Sequence, residues 1–145
     1  MATLNTHDLP TFAAFWEGLE IDDRFASGLI DERASCRERE ARARLKDALT
    51  GYLNKEGWLA RDILDPRAVL TAWLAFLAAG PAELLLINLE DLWLETNPQN
   101  TPGISRERPN RSRMTRYSFE DYSNDRQVLS ILRAINRLRR HPVKS

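Results

Sequence analysis

The feature that most constrains the fold is a helix that leads directly into a buried strand, between residues 65 and 87. Asp65 followed by Pro66 is typical of a helix start, and Gly80 followed by a proline is typical of a helix end. Residues 84–87 are all leucine or isoleucine, and this continuous apolar run indicates a strand buried on both faces of a parallel sheet. A helix followed by such a strand is half of a β/α unit, so the pattern predicts an α/β protein.

The rest of the first half predicts more helix than strand. Residues 4–8 suit a strand end that runs into a loop, and residues 11–19 suit a short helix capped by Thr11. Asp31 caps a long, highly charged helix that runs to about residue 53 and carries a narrow apolar stripe. The stripe, expected to face the core, consists of Ala34, Ala41, Leu45, Ala48, Leu49 and Tyr52.

The second half continues in the same way after the buried strand. Residues 90–94 suit a short helix, and residues 97–109, which include three prolines, suit a loop. A final helix is expected to begin after Ser123 or Asn124, because apolar residues recur there three or four positions apart. These apolar residues are Val128, Leu132, Ile135 and Leu138.

Charge is distributed unevenly along a chain whose net charge is zero. Residues 104–145 hold 11 basic and 4 acidic residues, so the preceding part carries the opposite excess. A basic tail can bind nucleic acid, because lysine and arginine neutralise phosphates. We favour the alternative that the tail is a solvated, arginine-rich helix face complementing the acidic part of the same chain, which makes nucleic acid the less favoured partner.

Several classes of protein find no support in the composition. The single Cys36 excludes an internal disulfide, and the opening residues lack a signal-peptide pattern, so we expect a cytoplasmic protein. The longest clean apolar stretch, residues 68–79, is too short to span a membrane. His7, His141 and Cys36 are the only imidazole and thiol groups and lack ligand spacing, so we expect no metal site. The absence of a glycine-rich phosphate loop leads us to expect no cofactor.

Two blocks of sequence carry a resemblance to a known family. The first is LNTHDLPTF at residues 4–12, continued by FWEG at 15–18. The second is AELLLINLEDL at residues 82–92, continued by NPQNTPG at 97–103 and ERPN at 107–110. Both blocks stand in the family's order and at a similar separation. Over nearly its whole length, the chain therefore resembles the C-terminal part of the 4-alpha-glucanotransferases of the amylomaltase kind, glycoside hydrolase family 77.

This resemblance implies an α/β fold that forms the C-terminal portion of a (β/α)8 TIM barrel, mostly helical with one or two short parallel strands. Residues 1–145 would form a single partial domain, with the last barrel units at about 1–103 and a loop with closing helices at about 104–145. The chain is shorter than the roughly 250 residues of a complete barrel. The implied activity is the transfer of α-1,4-glucan segments between maltodextrins by a retaining mechanism, with maltodextrin or another α-1,4-glucan as substrate.

The resemblance also implies roles for particular residues. Asp8 corresponds to the family's third carboxylate, which stabilises the transition state by hydrogen-bonding the sugar at the cleavage point, and His7 bonds the same sugar. Asn100 opens a substrate-binding loop at the mouth of the sugar groove. The loop continues with Thr101, Pro102 and Gly103. Trp16 either offers a sugar-stacking face or packs in the core, and packing is the favoured alternative.

Two of the family's three catalytic carboxylates have no counterpart here. No segment resembles the motif of the nucleophilic aspartate or that of the acid/base glutamate, so we expect the chain to be inactive alone, and whether it is an enzyme by itself stays open. A separate N-terminal barrel portion is one candidate partner, and a helical interaction or nucleic-acid-binding module is the alternative function. We interpret Glu90 and Asp91 as structural caps. Arg111 and Trp93 depart from the family pattern and leave the packing of the closing segment open.

Overall fold

The structure, a computed structural model, describes residues 1–6, 8–100 and 113–140. The elements in chain order are β1 (Ala2–Thr3), α1 (Phe12–Glu17), α2 (Leu19–Ala26), α3 (Glu32–Lys55), α4 (Pro66–Ala79), β2 (Leu85–Leu86), a 3-10 helix (Leu89–Trp93), α5 (Phe119–Asn124) and α6 (Arg126–Arg140). β1 and β2 pair in parallel, with Ala2 opposite Leu85. The prediction of a mostly helical chain with one or two short parallel strands is therefore confirmed, and this architecture is compatible with part of an α/β domain. The TIM barrel and the division near residue 103 stay predictions.

The first predicted helix is in fact two helices separated by one glycine. Thr11 caps α1 as expected, since its side chain accepts a hydrogen bond from the backbone N–H of Ala14. Gly18 then adopts a left-handed conformation with φ of 79°, which ends α1 after Glu17 and starts α2. The prediction of one helix over residues 11–19 was wrong at its end, because Gly18 in this conformation separates Leu19, the first residue of α2, from α1.

The long helix α3 has the predicted start, but the predicted buried stripe is wrong. Asp31 caps it by accepting from the N–H of Ala34 at 2.7 Å. Leu45 and Tyr52 of the stripe are 52% and 45% exposed, and Leu53, outside the stripe, is fully buried. The remaining stripe residues are exposed or half-buried: Ala34, Ala41, Ala48 and Leu49.

Polar contacts explain why α3 turns a different side to its neighbours. The guanidinium of Arg42 donates to the carbonyl of Phe15, pairs with Glu20 and lies 3.8 Å from the centre of the Phe15 ring. The ammonium of Lys46 donates to the carbonyl of Trp16 at 3.1 Å and lies 4.4 Å from its ring. Carbonyls at a helix C-terminus lack partners within the helix and attract cations, so α3 packs on the end of α1 through these two side chains.

The core lies mainly between α4 and α6. Asp65 caps α4, and Pro66 is its first residue, as the sequence predicted. Val69, Leu70 and Leu74 of α4 are almost fully buried, and burial of each such side chain contributes about 2 kcal/mol. They belong to one cluster with the buried residues of α6, which are Val128, Ile131 and Ile135.

The arginine-rich helix α6 is tied to the rest of the chain. It begins at Arg126, one or two residues later than expected, because Ser123 and Asn124 belong to α5 and Asp125 accepts from the N–H of Val128. Near its other end, the guanidinium of Arg139 donates to the carbonyl of Ala82 at 2.6 Å and to that of the next residue, just before β2. These contacts within the chain favour the structural interpretation of the basic segment.

Trp93 fills the space between the 3-10 helix and α5. Its ring is nearly parallel to that of Tyr122, with centroids 5.9 Å apart, and meets the edge of Tyr117 at 5.4 Å. The large side chain that departs from the family pattern therefore packs against tyrosines of the closing segment. Arg111, the other departure, lies outside the described residues.

Candidate functional site

Two loops leave the same end of the parallel sheet and meet. The first follows β1 and reaches Thr11 at the cap of α1, and the second follows β2 through the 3-10 helix to Asn100. The side-chain amide of Asn100 donates to the Oδ1 atom of Asp8 at 2.6 Å, although 92 positions separate the two residues. In parallel α/β proteins, ligands bind outside the carboxyl ends of the strands, which is where both side chains lie.

The other predicted site residues are distributed differently. His7 and the loop residues Thr101, Pro102 and Gly103 lie outside the described residues. Trp16 is buried in the core, where its ring is stacked on Phe12 with centroids 5.6 Å apart and is covered by the ammonium of Lys46. Its environment is therefore that of a packing residue. Of the predicted residues, the structure brings together Asp8 and Asn100.

Three carboxylates of the second loop are buried: Glu90, Asp91 and Glu95 are 4%, 2% and 3% exposed. Asp91 accepts the backbone N–H of Phe12 at 2.7 Å, at the start of α1, which fits its interpretation as a cap. Glu90 instead accepts from the side-chain amide of Gln99 at 2.9 Å and so holds the loop that follows it. Burial and protein partners keep these three groups away from a ligand, so Asp8 is the exposed carboxylate among the described residues of the two loops.

Glu95 and Arg113 are structural residues of the site that the sequence analysis missed. The Oε1 atom of Glu95 accepts from the N–H groups of Thr96 and Asn97 and from the amide of Asn97, at 3.0 to 3.1 Å. The guanidinium of Arg113 contacts both Glu90, at 2.8 Å, and Glu95, at 3.4 Å. A glutamate two residues before Asn-Pro at a loop start was the one available signal, and it is a weak one.

The buried acids titrate differently because their partners differ. Burial raises the pKa of Asp91 from 3.8 to about 6, and the nearby charge of Glu90 adds to this, against hydrogen bonds from Phe12 and Asn5 that lower it. Burial also opposes ionisation of Glu95, but hydrogen bonds from Asn97 and the charge of Arg113 outweigh it and hold the pKa of Glu95 below its ordinary value. Glu95 is therefore a stable anion at neutral pH, whereas Asp91 titrates near pH 6.

Besides the hydrogen bond from Asn5 to Asp91, three hydrogen bonds between described residues fasten the two loops to each other. Besides the Asp8–Asn100 and Asp91–Phe12 contacts, the hydroxyl of Thr11 donates to the backbone carbonyl of Glu95. The three contacts join residues 8, 11 and 12 of the first loop and α1 to residues 91, 95 and 100 of the second. The geometry of the Asp8–Asn100 pair therefore depends on both loops.

Two concavities flank this region. The first, with a volume of about 200 Å³, is almost entirely apolar and is formed by residues on either side of Asp8 together with aromatic side chains. Its lining consists of Leu4, Asn5, Leu9, Pro10, Phe12, Phe15 and Trp73. A sugar ring needs several polar partners, and Asn5 is the one polar side chain in this lining, so this cavity suits an apolar packing partner. The second, of about 480 Å³, lies between Trp93 and α5 and is lined by tyrosines and acidic residues.

Neither a metal-binding cluster nor a membrane span occurs in residues 1–6, 8–100 and 113–140. These residues contain no group of three His, Cys, Asp or Glu side chains placed to hold a metal ion. No helix in the same ranges is long and apolar enough to cross a membrane. The contact between Asp8 and Asn100 offers hydrogen bonding by a carboxylate and an amide, the pattern that suits hydroxyl groups.

Comparisons with known proteins agree with the resemblance. The family model of the 4-alpha-glucanotransferases matches residues 1–118. Two curated 4-alpha-glucanotransferases, from Mycobacterium bovis and Mycobacterium tuberculosis, are each 32% identical to the chain over 113 residues. The matched region covers 76% of this chain and 15% of each relative, so the chain spans a small part of their length. The chain belongs to the 4-alpha-glucanotransferase family, glycoside hydrolase family 77.

Proposed function

We propose that the chain supplies sugar-contacting loops to a 4-alpha-glucanotransferase that transfers α-1,4-glucan segments between maltodextrins, and that the chain is inactive alone. The observation that carries the proposal is the contact between Asp8 and Asn100, one from each of the two blocks that resemble the family. The exposed carboxylate at the carboxyl end of parallel strands supports a role in binding a polar substrate there.

The proposed mechanism retains the configuration of the transferred glucose. A nucleophilic carboxylate displaces the departing glucan and forms a glucosyl-enzyme, while an acid/base group protonates the departing oxygen. The same group then takes the proton of a second glucan's 4-hydroxyl, whose oxygen bonds to the glucosyl carbon as the bond to the nucleophile breaks. In the proposal, the ionised carboxylate of Asp8 accepts hydrogen bonds from ring hydroxyls of the sugar, and its negative charge favours the cationic transition state. His7 bonds the same sugar, and Asn100 with Thr101, Pro102 and Gly103 shapes the mouth of the groove.

The nucleophile and the acid/base group are proposed to come from a separate or preceding N-terminal barrel portion. The buried positions of Glu90, Asp91 and Glu95 support this, because a carboxylate enclosed by protein partners cannot reach a sugar. In the described sheet, β1 and β2 pair only with each other, so the outer edge of each strand carries no neighbouring strand. Leu84, just before β2, and Leu86, within β2, are 62% and 51% exposed, and such apolar strand surface favours an added partner.

The nucleic-acid alternative receives no support from α6, whose apolar side is buried in the core and whose Arg139 is bound to backbone carbonyls. It stays a prediction that a salt-dependent binding assay would test. We also propose a cytoplasmic location. The free, exposed thiol of Cys36 supports it, since free thiols are usual in reducing compartments.

The proposal is tested by reconstitution with maltotriose as substrate. The chain is measured alone and together with the part of the Mycobacterium tuberculosis relative that precedes its matched region, after size-exclusion chromatography has shown that the two associate. We expect shorter and longer maltodextrins from the complex and none from the chain alone. Asp8→Asn should reduce the activity of the complex at least a hundredfold, as for loss of a group that stabilises transition-state charge.

Asp47→Asn is the matched control, because it makes the same chemical change at an exposed position on α3, outside both loops. Its complex should keep its activity. Robust disproportionation of maltotriose by the chain alone would contradict the proposed inactivity. Full activity of the Asp8→Asn complex would contradict the proposed role of this carboxylate.

A further inference from the structure

The amide of Asn100 can reach Asp8 only if the loop before it is held in place. Glu95 fixes the start of this loop by accepting from the backbone N–H groups of Thr96 and Asn97. Glu90 fixes its end by accepting from the side chain of Gln99, the residue before Asn100. Two buried carboxylates therefore define the course of the segment from residue 95 to residue 99.

One cation contacts both carboxylates in the described part of the chain. The Nη2 atom of Arg113 donates to Glu90 Oε1 at 2.8 Å and to the backbone carbonyl of Asn97 at 2.7 Å. Its Nη1 atom lies 3.4 Å from Glu95 Oε2. The guanidinium thus bonds the two anions and the loop backbone at the same time, which its planar fork of donors allows and a lysine ammonium matches poorly.

The charges explain why this contact controls the geometry of the loop. The Glu90 and Glu95 side chains are 6% and 4% exposed, and buried anions are stable only when they are paired and hydrogen-bonded. Removal of the guanidinium therefore leaves two buried anions without the cation that they share. We expect the loop that these carboxylates hold to shift as a result, and Asn100 to shift with it.

We infer that Arg113 is a positioning residue, which holds the loop over residues 95–99 so that the side-chain amide of Asn100 meets Asp8. It acts through the two glutamates and the Asn97 carbonyl rather than on a substrate. The catalytic meaning of this role rests on the proposed function. The positioning itself is a property of the chain and can be measured without glucan.

The test follows the side-chain amide signals of Asn100 by NMR in 15N-labelled chain, assigned by their loss in Asn100→Ala. Asp8→Ala supplies the positions of these signals when the hydrogen bond is absent. In Arg113→Met the signals should shift most of the way to the Asp8→Ala positions, and in Arg113→Lys part of the way. Arg116→Met is the control: among the described residues, Arg116 lies over the ring of Tyr117 and contacts neither glutamate, so the signals should stay in place.

Two results would overturn the inference. The first is a folded Arg113→Met chain whose Asn100 amide signals match those of the wild type. The second applies if Arg113→Met does not fold: unchanged Asn100 amide signals in Arg113→Lys would show that the guanidinium fork is not needed. These outcomes do not depend on transferase activity, so the positioning role can fail while the proposed function holds, and the reverse. In an active complex, Arg113→Lys should lower kcat by a larger factor than it raises KM.

Discussion

The buried carboxyl of Asp91 should make the chain less stable as the pH rises toward neutrality, because burial raises its pKa. The change that isolates it is Asp91→Asn, which keeps the shape and an acceptor oxygen for the N–H of Phe12 but cannot ionise. The new amide group needs an acceptor in turn. The Oδ1 atom of Asn5 is buried, has no hydrogen-bond partner among the described residues and belongs to a side chain that bonds Asp91, so it can serve.

The magnitude follows from the pKa of Asp91, which burial raises from 3.8 to about 6. Each unit of pKa difference corresponds to about 1.4 kcal/mol, so the full effect on the free energy of unfolding is about 3 kcal/mol. Between these two values the folded state binds more protons than the unfolded state. Stability from this group is therefore highest below pH 3.8, decreases as the pH rises through about 6, and is constant above that.

Other acids act in a different pH range. The pKa of Glu95 is lowered, so the stability it contributes is present above its ordinary value of 4.5 and is lost as the pH falls through its folded pKa. Above pH 4.5, the change of stability with pH therefore comes mainly from Asp91. Histidines and the remaining acids are the same in both proteins, so their effects cancel when the variant is subtracted from the wild type.

The assay is urea unfolding of both proteins at a series of pH values from about 4.5 to 7. Over this range the wild type should lose about 2 kcal/mol more than Asp91→Asn, the part of the 3 kcal/mol that falls within it. This is a large fraction of the 5–15 kcal/mol that is typical of a folded domain. Parallel stability curves for the two proteins would refute the reasoning, because they would show that Asp91 titrates alike in the folded and unfolded states.

Two further predictions concern the junction between the first helices and α3. Gly18→Ala should lower the thermal unfolding temperature and cost about 1 kcal/mol of stability, because Gly18 has φ of 79°. Gly51→Ala within α3 should raise the unfolding temperature and add about 1 kcal/mol of stability, since nothing lies within 4 Å of the added methyl group. Arg42→Met should destabilise the chain by about 1–2 kcal/mol in urea, through loss of the contacts to α1 and Glu20; equal stability of Arg42→Met and the exposed control Arg44→Met would contradict this.

Helix starts were predictable because their chemistry is local. Thr11, Asp31 and Asp65 each accept from a backbone N–H three residues later, so the sequence near each cap contains everything that the cap needs. The strand itself was predictable for a similar reason, since Leu85 lies within a continuous apolar run. Its predicted burial on both faces was wrong for this chain, because Leu84 and Leu86 are 62% and 51% exposed. The family resemblance added the expectation that two distant loops belong to one site.

The buried side of α3 could not be predicted from its own sequence. An apolar stripe is expected to face the core, but Leu45 in that stripe is exposed. The side of α3 that packs is the one from which Arg42 and Lys46 reach the backbone carbonyls at the end of α1. Nothing in the periodicity of α3 contains that information, because the acceptors lie 27 and 30 positions away.

The site shows the same division between local and distant causes. Asp8 and Asn100 each stand in a recognisable block, so their meeting could be anticipated from motifs alone. Glu95 and Arg113 belong to no motif, and their importance appears only when two buried anions and one cation are seen in contact. Residues within the two blocks carry a sequence signature, whereas the ion pairs that hold the loop before Asn100 depend on burial, which the three-dimensional fold creates. Arg113 is therefore the more informative residue to vary, since its effect on Asn100 tests the fold rather than the motif.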